Sequence, residues 1–146
     1  MTIAQKLKYS KEINGLKLSN CPGSSSIPRQ IPAFRYGIDP VSDPKNIETQ
    51  ASKLTRENRF PRKNASDDQL CSDFGLSFFD TKDNALNFWK NYNSRMKEKL
   101  GYNTLLELDI RKSDGLCTTT NPNGHFNLFE FETTSLAHRF KKVTRL

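Results

Sequence analysis

The residues best suited to chemistry lie late in the chain, in the run His125-Phe126-Asn127-Leu128-Phe129-Glu130-Phe131-Glu132. An extended strand turns successive side chains to opposite faces. His125, Asn127, Phe129 and Phe131 then share one face, and Phe126, Leu128, Glu130 and Glu132 the other. Two acids fixed side by side can stabilise positive charge that develops on a bound group. The same spacing also describes a strand end that leaves the core, with both acids in solvent.

Other reactive side chains do not form ligand sets. Cys117, His125 and His138 follow one another without a CxxC pair or an HxxxH pair. Structural zinc takes four ligands, usually in close pairs, so no metal is expected. Cys71 or Cys117 with His125 would make a thiol nucleophile and base only if the fold brought them together. Cys71, just before an apolar strand, reads more simply as a small buried thiol. Cys21, Cys71 and Cys117 are odd in number and widely spaced, which is not the pattern of a disulfide framework. The chain has no GxGxxG or GxxxxGK[ST] phosphate loop and no GxSxG nucleophile elbow.

Cations offer a second kind of site. The segment Asp83 to Leu100 and its flank carry Lys82, Lys90, Arg95, Lys97 and Lys99, and the C-terminus adds Arg139, Lys141, Lys142 and Arg145. Lys97, Lys99, Arg139, Lys141, Lys142 and Arg145 form the candidate surface for phosphates or an acidic partner. The expected function is a small basic binding protein that recognises nucleic acid or an acidic protein surface, with no cofactor. RNP, KH and zinc-finger signatures are absent, and a solvated cationic face fits the same residues.

The order Phe34-Arg35-Tyr36, then Leu76-Ser77-Phe78 before a helix, then Glu130-Phe131-Glu132 resembles the Arg–Ser–Glu layout of ADP-ribosyltransferases. The resemblance implies NAD as the cofactor. Arg35 on a first strand would hold the pyrophosphate, and Ser77 would order the nicotinamide pocket. Glu132 would bind a ribose hydroxyl and stabilise an oxocarbenium-like state, and Glu130 would help the acceptor attack. The usual Ser-Thr-Ser is Leu-Ser-Phe here, and the matching segments are short. Residues 74–143 also look similar to small uncharacterised bacterial proteins of mobile or conflict-related loci, which implies a defence or toxin-type context.

The elements that would position these residues are sharper in the second half. Phe74–Phe79 reads as a strand. Ala85, Phe88, Trp89, Tyr92, Met96 and Leu100 recur at three- and four-residue steps, predicting one long amphipathic helix that stops at Gly101. Strands are expected over Tyr102–Ile110 and His125–Glu132, a loop over Lys112–Asn123, and a short closing helix after Thr133 and Thr134. Earlier, Asn14-Gly15 suits a tight hairpin turn. Residues 21–33, rich in Pro and Ser, read as a flexible loop. Ala33–Gly37 reads as a short strand, and Asp43-Pro44 as the cap and first turn of a polar helix reaching Asn58.

The expected fold is therefore α+β: a small mixed or antiparallel sheet packed against that long helix and shorter ones. A chain of 146 residues is the size of one domain, 1–146. Apolar residues are 34% of it, partly offset by ten Phe, four Tyr and one Trp. The net charge of +7 suits a polyanionic partner, or solubility alone. The first twenty residues contain no continuous apolar stretch, and no segment approaches the ~20 apolar residues of a membrane span. The expected location is cytoplasmic, with no membrane partner.

Overall fold

The computed structural model describes residues 6–146. Its centre is one antiparallel sheet of six strands: β1 (Ile31–Gly37), β2 (Leu76–Phe79), β3 (Thr104–Ile110), β4 (Gly115–Cys117), β5 (His125–Glu130) and β6 (Lys141–Arg145). Their order across the sheet is β4-β5-β2-β1-β3-β6. The short helices are α1 (Ser10–Gly15), α2 (Gln50–Arg56), α3 (Asp67–Ser72), α4 (Lys82–Lys90) and α5 (Ser94–Leu100), with a 3-10 turn at Pro44–Ile47.

Strand alternation fills both faces of the sheet. Ala33, Leu76, Phe78, Leu106, Leu108, Phe126 and Leu128 form the larger core, closed over by Leu136 and Phe140. On the other face Phe79 and Leu105 pack with Phe34 and Tyr36 against Ala85, Leu86 and Phe88 of α4. A third cluster joins Ile13 of α1 and Ala51 of α2 to Phe74 and Phe129.

β1 makes seven register pairs with β3, from Ile31 opposite Ile110 to Gly37 opposite Thr104. With β2 it makes one, Phe34 opposite Phe79. Beyond that pair the two strands part, and the sheet splits at its centre. The 3-10 turn packs beside the split. Buried Asn46 holds it there, accepting from Ile38 N at 2.8 Å and donating to Ile38 O at 3.0 Å. Gly37 is required at this approach, because a Cβ there would lie 2.6 Å from Asn46 Oδ1.

The α+β class holds, but several elements differ from expectation. The long helix is two helices. Asn91 ends α4, and Asn93 caps α5 by accepting from Met96 N, so local capping interrupts the apolar stripe. Trp89 stays buried at 8% exposure, while Met96 is 39% exposed. The polar helix expected from Pro44 to Asn58 is likewise divided. Asp43 caps the 3-10 turn as expected, and Thr49 then caps α2. Asn14-Gly15 ends α1 instead of turning a hairpin. Two strands replace expected loop and helix: β4 inside 112–123, and β6 after a turn-rich segment from Thr133.

Cys21 and Cys71 form a disulfide, against the expectation of unpaired thiols. Spacing fails as a guide here because the loop after α1 folds back onto α3, 50 residues later in sequence. The Pro/Ser-rich segment is tied at that bond, and again where Ile27 bridges Cys117 in the sheet. Its last residues, from Ile31, belong to β1.

Candidate functional site

The split between β1 and β2 opens into a cleft of about 590 Å³. Arg35, Glu48, Ser77, Lys99, Tyr102, His125 and Asn127 line it. A recess of about 400 Å³ adjoins it and shares Arg35, Ser77, Tyr102 and His125. Aromatic Tyr36, Phe88 and Tyr92 wall the recess, and Asn121 and Asn123 edge it.

Arg35 sits at the base of the cleft, buried beside Phe78. It donates from Nε to Asn46 O at 2.8 Å, from Nη2 to Glu48 O at 2.9 Å and from Nη1 to Ser77 O at 3.0 Å. Two of these carbonyls belong to the 3-10 turn and its C-cap and one to β2, so the guanidinium ties the turn to the strand across the split. A guanidinium has five N–H donors, so two remain for a ligand. Burial pulls its pKa down, opposed by charges that include Glu130 and Glu48.

Ser77 and His125 meet across β2 and β5. Ser77 is paired with Asn127 and Phe79 with His125, so Ser77 and His125 are diagonal neighbours on one face. Ser77 Oγ lies 2.5 Å from His125 Nε2. The imidazole packs edge-on against Phe79. Burial lowers its pKa below the ordinary histidine value, which favours the neutral ring.

The cleft is cationic. Its carboxylates already hold partners: Glu48 is bound by Arg56, Glu57 by Arg59 and Asp73 by Arg62. Lys45, Lys53 and Lys99 line the same space, and none of them pairs with a carboxylate among the described residues. An anion entering here meets a positive field with aromatic surface beside it.

The structure brings together Arg35 and Ser77 of the expected Arg–Ser–Glu set and leaves the acids elsewhere. Glu130 lies on the opposite face of β5, 4% exposed, where Lys8 Nζ donates to it at 2.6 Å. Burial raises its pKa, with Lys8 opposing. Glu132 is exposed beyond the strand, where its N–H donates to Lys6 O. Neither acid lines the cleft. The strand alternation already assigned them to the face away from His125. Their distance from Ser77 needed the register of β2 on β5.

The expected cationic surface is divided too. Arg139 is held by Asp114 at 2.7 and 2.8 Å and donates to Asp109 O at 2.7 Å, so it is part of the fold. Lys142 reaches Asp39 at 3.1 Å. Lys141, Lys142 and Arg145 lie exposed on β6, an edge strand. Lys97 covers the Trp89 ring at 5.6 Å, and Lys99 belongs to the cleft.

Cys117 is buried, and burial raises its pKa to about 11, so the thiol is inert at neutral pH. Cys71 is in the disulfide. Among the described residues, no group of three or more His, Cys, Asp or Glu is placed to hold a metal. None of their helices is long and apolar enough to cross a membrane. No protein-family model, curated protein or solved structure matches the chain.

Proposed function

We propose that this protein takes NAD in the split between β1 and β2, as an ADP-ribosyltransferase-like protein does. One observation carries the reading: Arg35 and Ser77, on the two strands the resemblance names, line one cleft at the place where those strands part. The surroundings suit the ligand. Lys45, Lys53 and Lys99 can meet the pyrophosphate charge, and Tyr36, Phe88, Tyr92 and Tyr102 offer flat surface for a base. The separate likeness of residues 74–143 to small bacterial proteins of conflict-related loci suggests a defence or toxin-type context. The Cys21–Cys71 disulfide favours action in an oxidising compartment over the cytoplasm.

Calorimetric titration with NAD tests the reading. Saturable binding is expected, weakened by Lys53→Ala and Lys99→Ala and by added salt. An absence of heat, together with no release of nicotinamide, would sink it.

A second reading keeps the protein as a binder of nucleic acid or an acidic protein surface. The exposed run Lys141, Lys142 and Arg145 on β6 favours it. Replacing these three with Ala should then weaken a salt-sensitive gel shift with single-stranded RNA. Replacements within the cleft should not.

A further inference from the structure

We infer that Ser77 and His125 form a proton-relay pair that activates water for cleavage of the nicotinamide–ribose bond, His125 standing as general base on the late strand where the resemblance places a glutamate. The inference rests on the NAD reading above and names the residue that would make it an enzyme.

The geometry makes the pair specific. A base must lie within hydrogen-bond reach of the proton it takes, and Nε2 of His125 lies 2.5 Å from Ser77 Oγ. Both side chains line the cleft and its aromatic recess, and Ser77 is exposed to entering solvent. His125 is the first residue of β5, and its N–H donates to Asn121 Oδ1 at 2.9 Å, which fixes the strand start at the cleft edge. Glu130 and Glu132 occupy another face and the strand's far end. Positive charge developing on the sugar is therefore not met by a carboxylate of β5.

The step balances as hydrolysis. The oxygen of water attacks C1′ of the nicotinamide ribose. The bond from C1′ to the ring nitrogen breaks, and its electron pair stays on that nitrogen, so nicotinamide leaves neutral. The proton of the attacking water passes to Ser77 Oγ as the Ser77 proton passes to His125 Nε2. Solvent then removes the proton from His125, and ADP-ribose remains.

The base must be neutral to act, so the rate should rise with pH and level off above the histidine pKa. The charged and titratable groups that face the pair come from several elements: Arg35 and Tyr36 from β1, Glu48 beside α2, Tyr92 between α4 and α5, and Lys99 and Tyr102 at the end of α5. Burial is what lowers the His125 pKa.

The test measures nicotinamide release and NAD affinity for the wild type, His125→Gln and Ser77→Ala across pH. Support is release by the wild type, slowed at least ~100-fold in both variants, the usual scale of general-base catalysis. The acid limb should vanish in His125→Gln, the loss appearing in kcat measured at saturating NAD. Ser77 is exposed, so Ser77→Ala remains informative even where His125→Gln folds poorly. Release that persists within a few-fold in either folded variant overturns the relay and leaves the NAD reading standing. Binding without release by the wild type overturns the relay and leaves a binder. Neither binding nor release overturns both.

Discussion

Arg35 Nη1 donates to the main-chain oxygen of Ser77 at 3.0 Å, across the point where β1 and β2 separate. The same guanidinium satisfies Asn46 O and Glu48 O of the 3-10 turn and its cap, so one side chain pins that turn to β2 across the split. Arg35→Met would take the side-chain donor from Asn46 O, which is buried, and from Glu48 O and Ser77 O, which are part-buried. Each unsatisfied buried group costs roughly 1–3 kcal/mol, so a loss of about 3–5 kcal/mol is expected in denaturant unfolding. Arg35→Lys should recover only part of it, because an ammonium cannot reproduce the planar fork. A loss below about 1 kcal/mol for Arg35→Met would show that the split holds itself open.

Trp89 packs at 8% exposure against Tyr36, Tyr92 and Tyr102, with ring centroids at 5.0, 5.7 and 6.5 Å. It roots α4 to the aromatic wall of the recess. Trp89→Ala should cost about 3–5 kcal/mol, as other large core truncations do. NAD affinity should fall with it, since Tyr36 and Tyr92 lose their support. A change near zero in both would argue that the recess is shaped by the sheet alone.

The disulfide gives a separate handle. Cys21–Cys71 closes a loop spanning 50 residues, and cross-links of this kind contribute about 2–4 kcal/mol. Replacing both cysteines with Ser should lower stability by that amount, and reductant should do the same to the wild type. Reductant should have no effect on the double variant. Cys117 is buried and should resist alkylation in the folded protein. Equal stability with and without reductant would exclude the bond as a structural tie.

Burial lowers the folded-state pKa of His125, while the unfolded chain titrates near the ordinary value of about 6.5. Below that value the unfolded state binds more protons, so stability is complete above it and falls as pH drops. Unfolding measured between about pH 7 and 5 should show this decline. His125→Gln should flatten it in that window relative to the wild type; Glu130, whose pKa burial raises, acts with the opposite sign and equally in both proteins. A wild-type profile parallel to that of His125→Gln would show that burial does not perturb this ring.

The strand faces were legible because a period of two needs only a local pattern: Leu76 and Phe78 separate from Ser77 and Phe79 as alternation requires, while Phe74 lies before the strand and packs with Phe129 instead. Thr104–Ile110 was legible for its apolar run. β6 was not, since Lys141–Arg145 is a polar edge strand whose place is set by pairing with β3. β4, Gly115–Cys117, is too short to carry a period. The break between α4 and α5 lies in asparagines whose caps outweigh the apolar spacing across them. In the cleft, Arg35 and Ser77 stood out by residue type and order. His125 was visible as a candidate base for Cys71 or Cys117 and as a residue sharing a face with Asn127, not as a partner of Ser77. Its contact with Ser77 depends on β5 lying antiparallel beside β2 in one register, and nothing local to either strand encodes that.

That register yields a sharp contrast between the two candidate partners of Ser77. Glu132 follows the residue sequence expected of a catalytic acid, yet it is exposed beyond the end of β5 and lines neither the cleft nor its recess. His125 begins the strand and touches Ser77. A carboxylate acts on a developing sugar cation by proximity, so one outside the cleft contributes little to the barrier. Glu132→Gln should therefore leave nicotinamide release within about 2-fold of wild type, the range expected for a surface change of ±0.5 kcal/mol. Stability should also change by no more than about 0.5 kcal/mol, because among the described residues its main chain alone is engaged, with Lys6. Glu130→Gln should act on stability instead, since it alters the buried pair with Lys8. The measurement is nicotinamide release at fixed NAD by the three variants Glu130→Gln, Glu132→Gln and His125→Gln. Loss by orders of magnitude in Glu132→Gln, with His125→Gln unaffected, would return the late-strand role to the glutamate and require β5 to present its far end to the cleft.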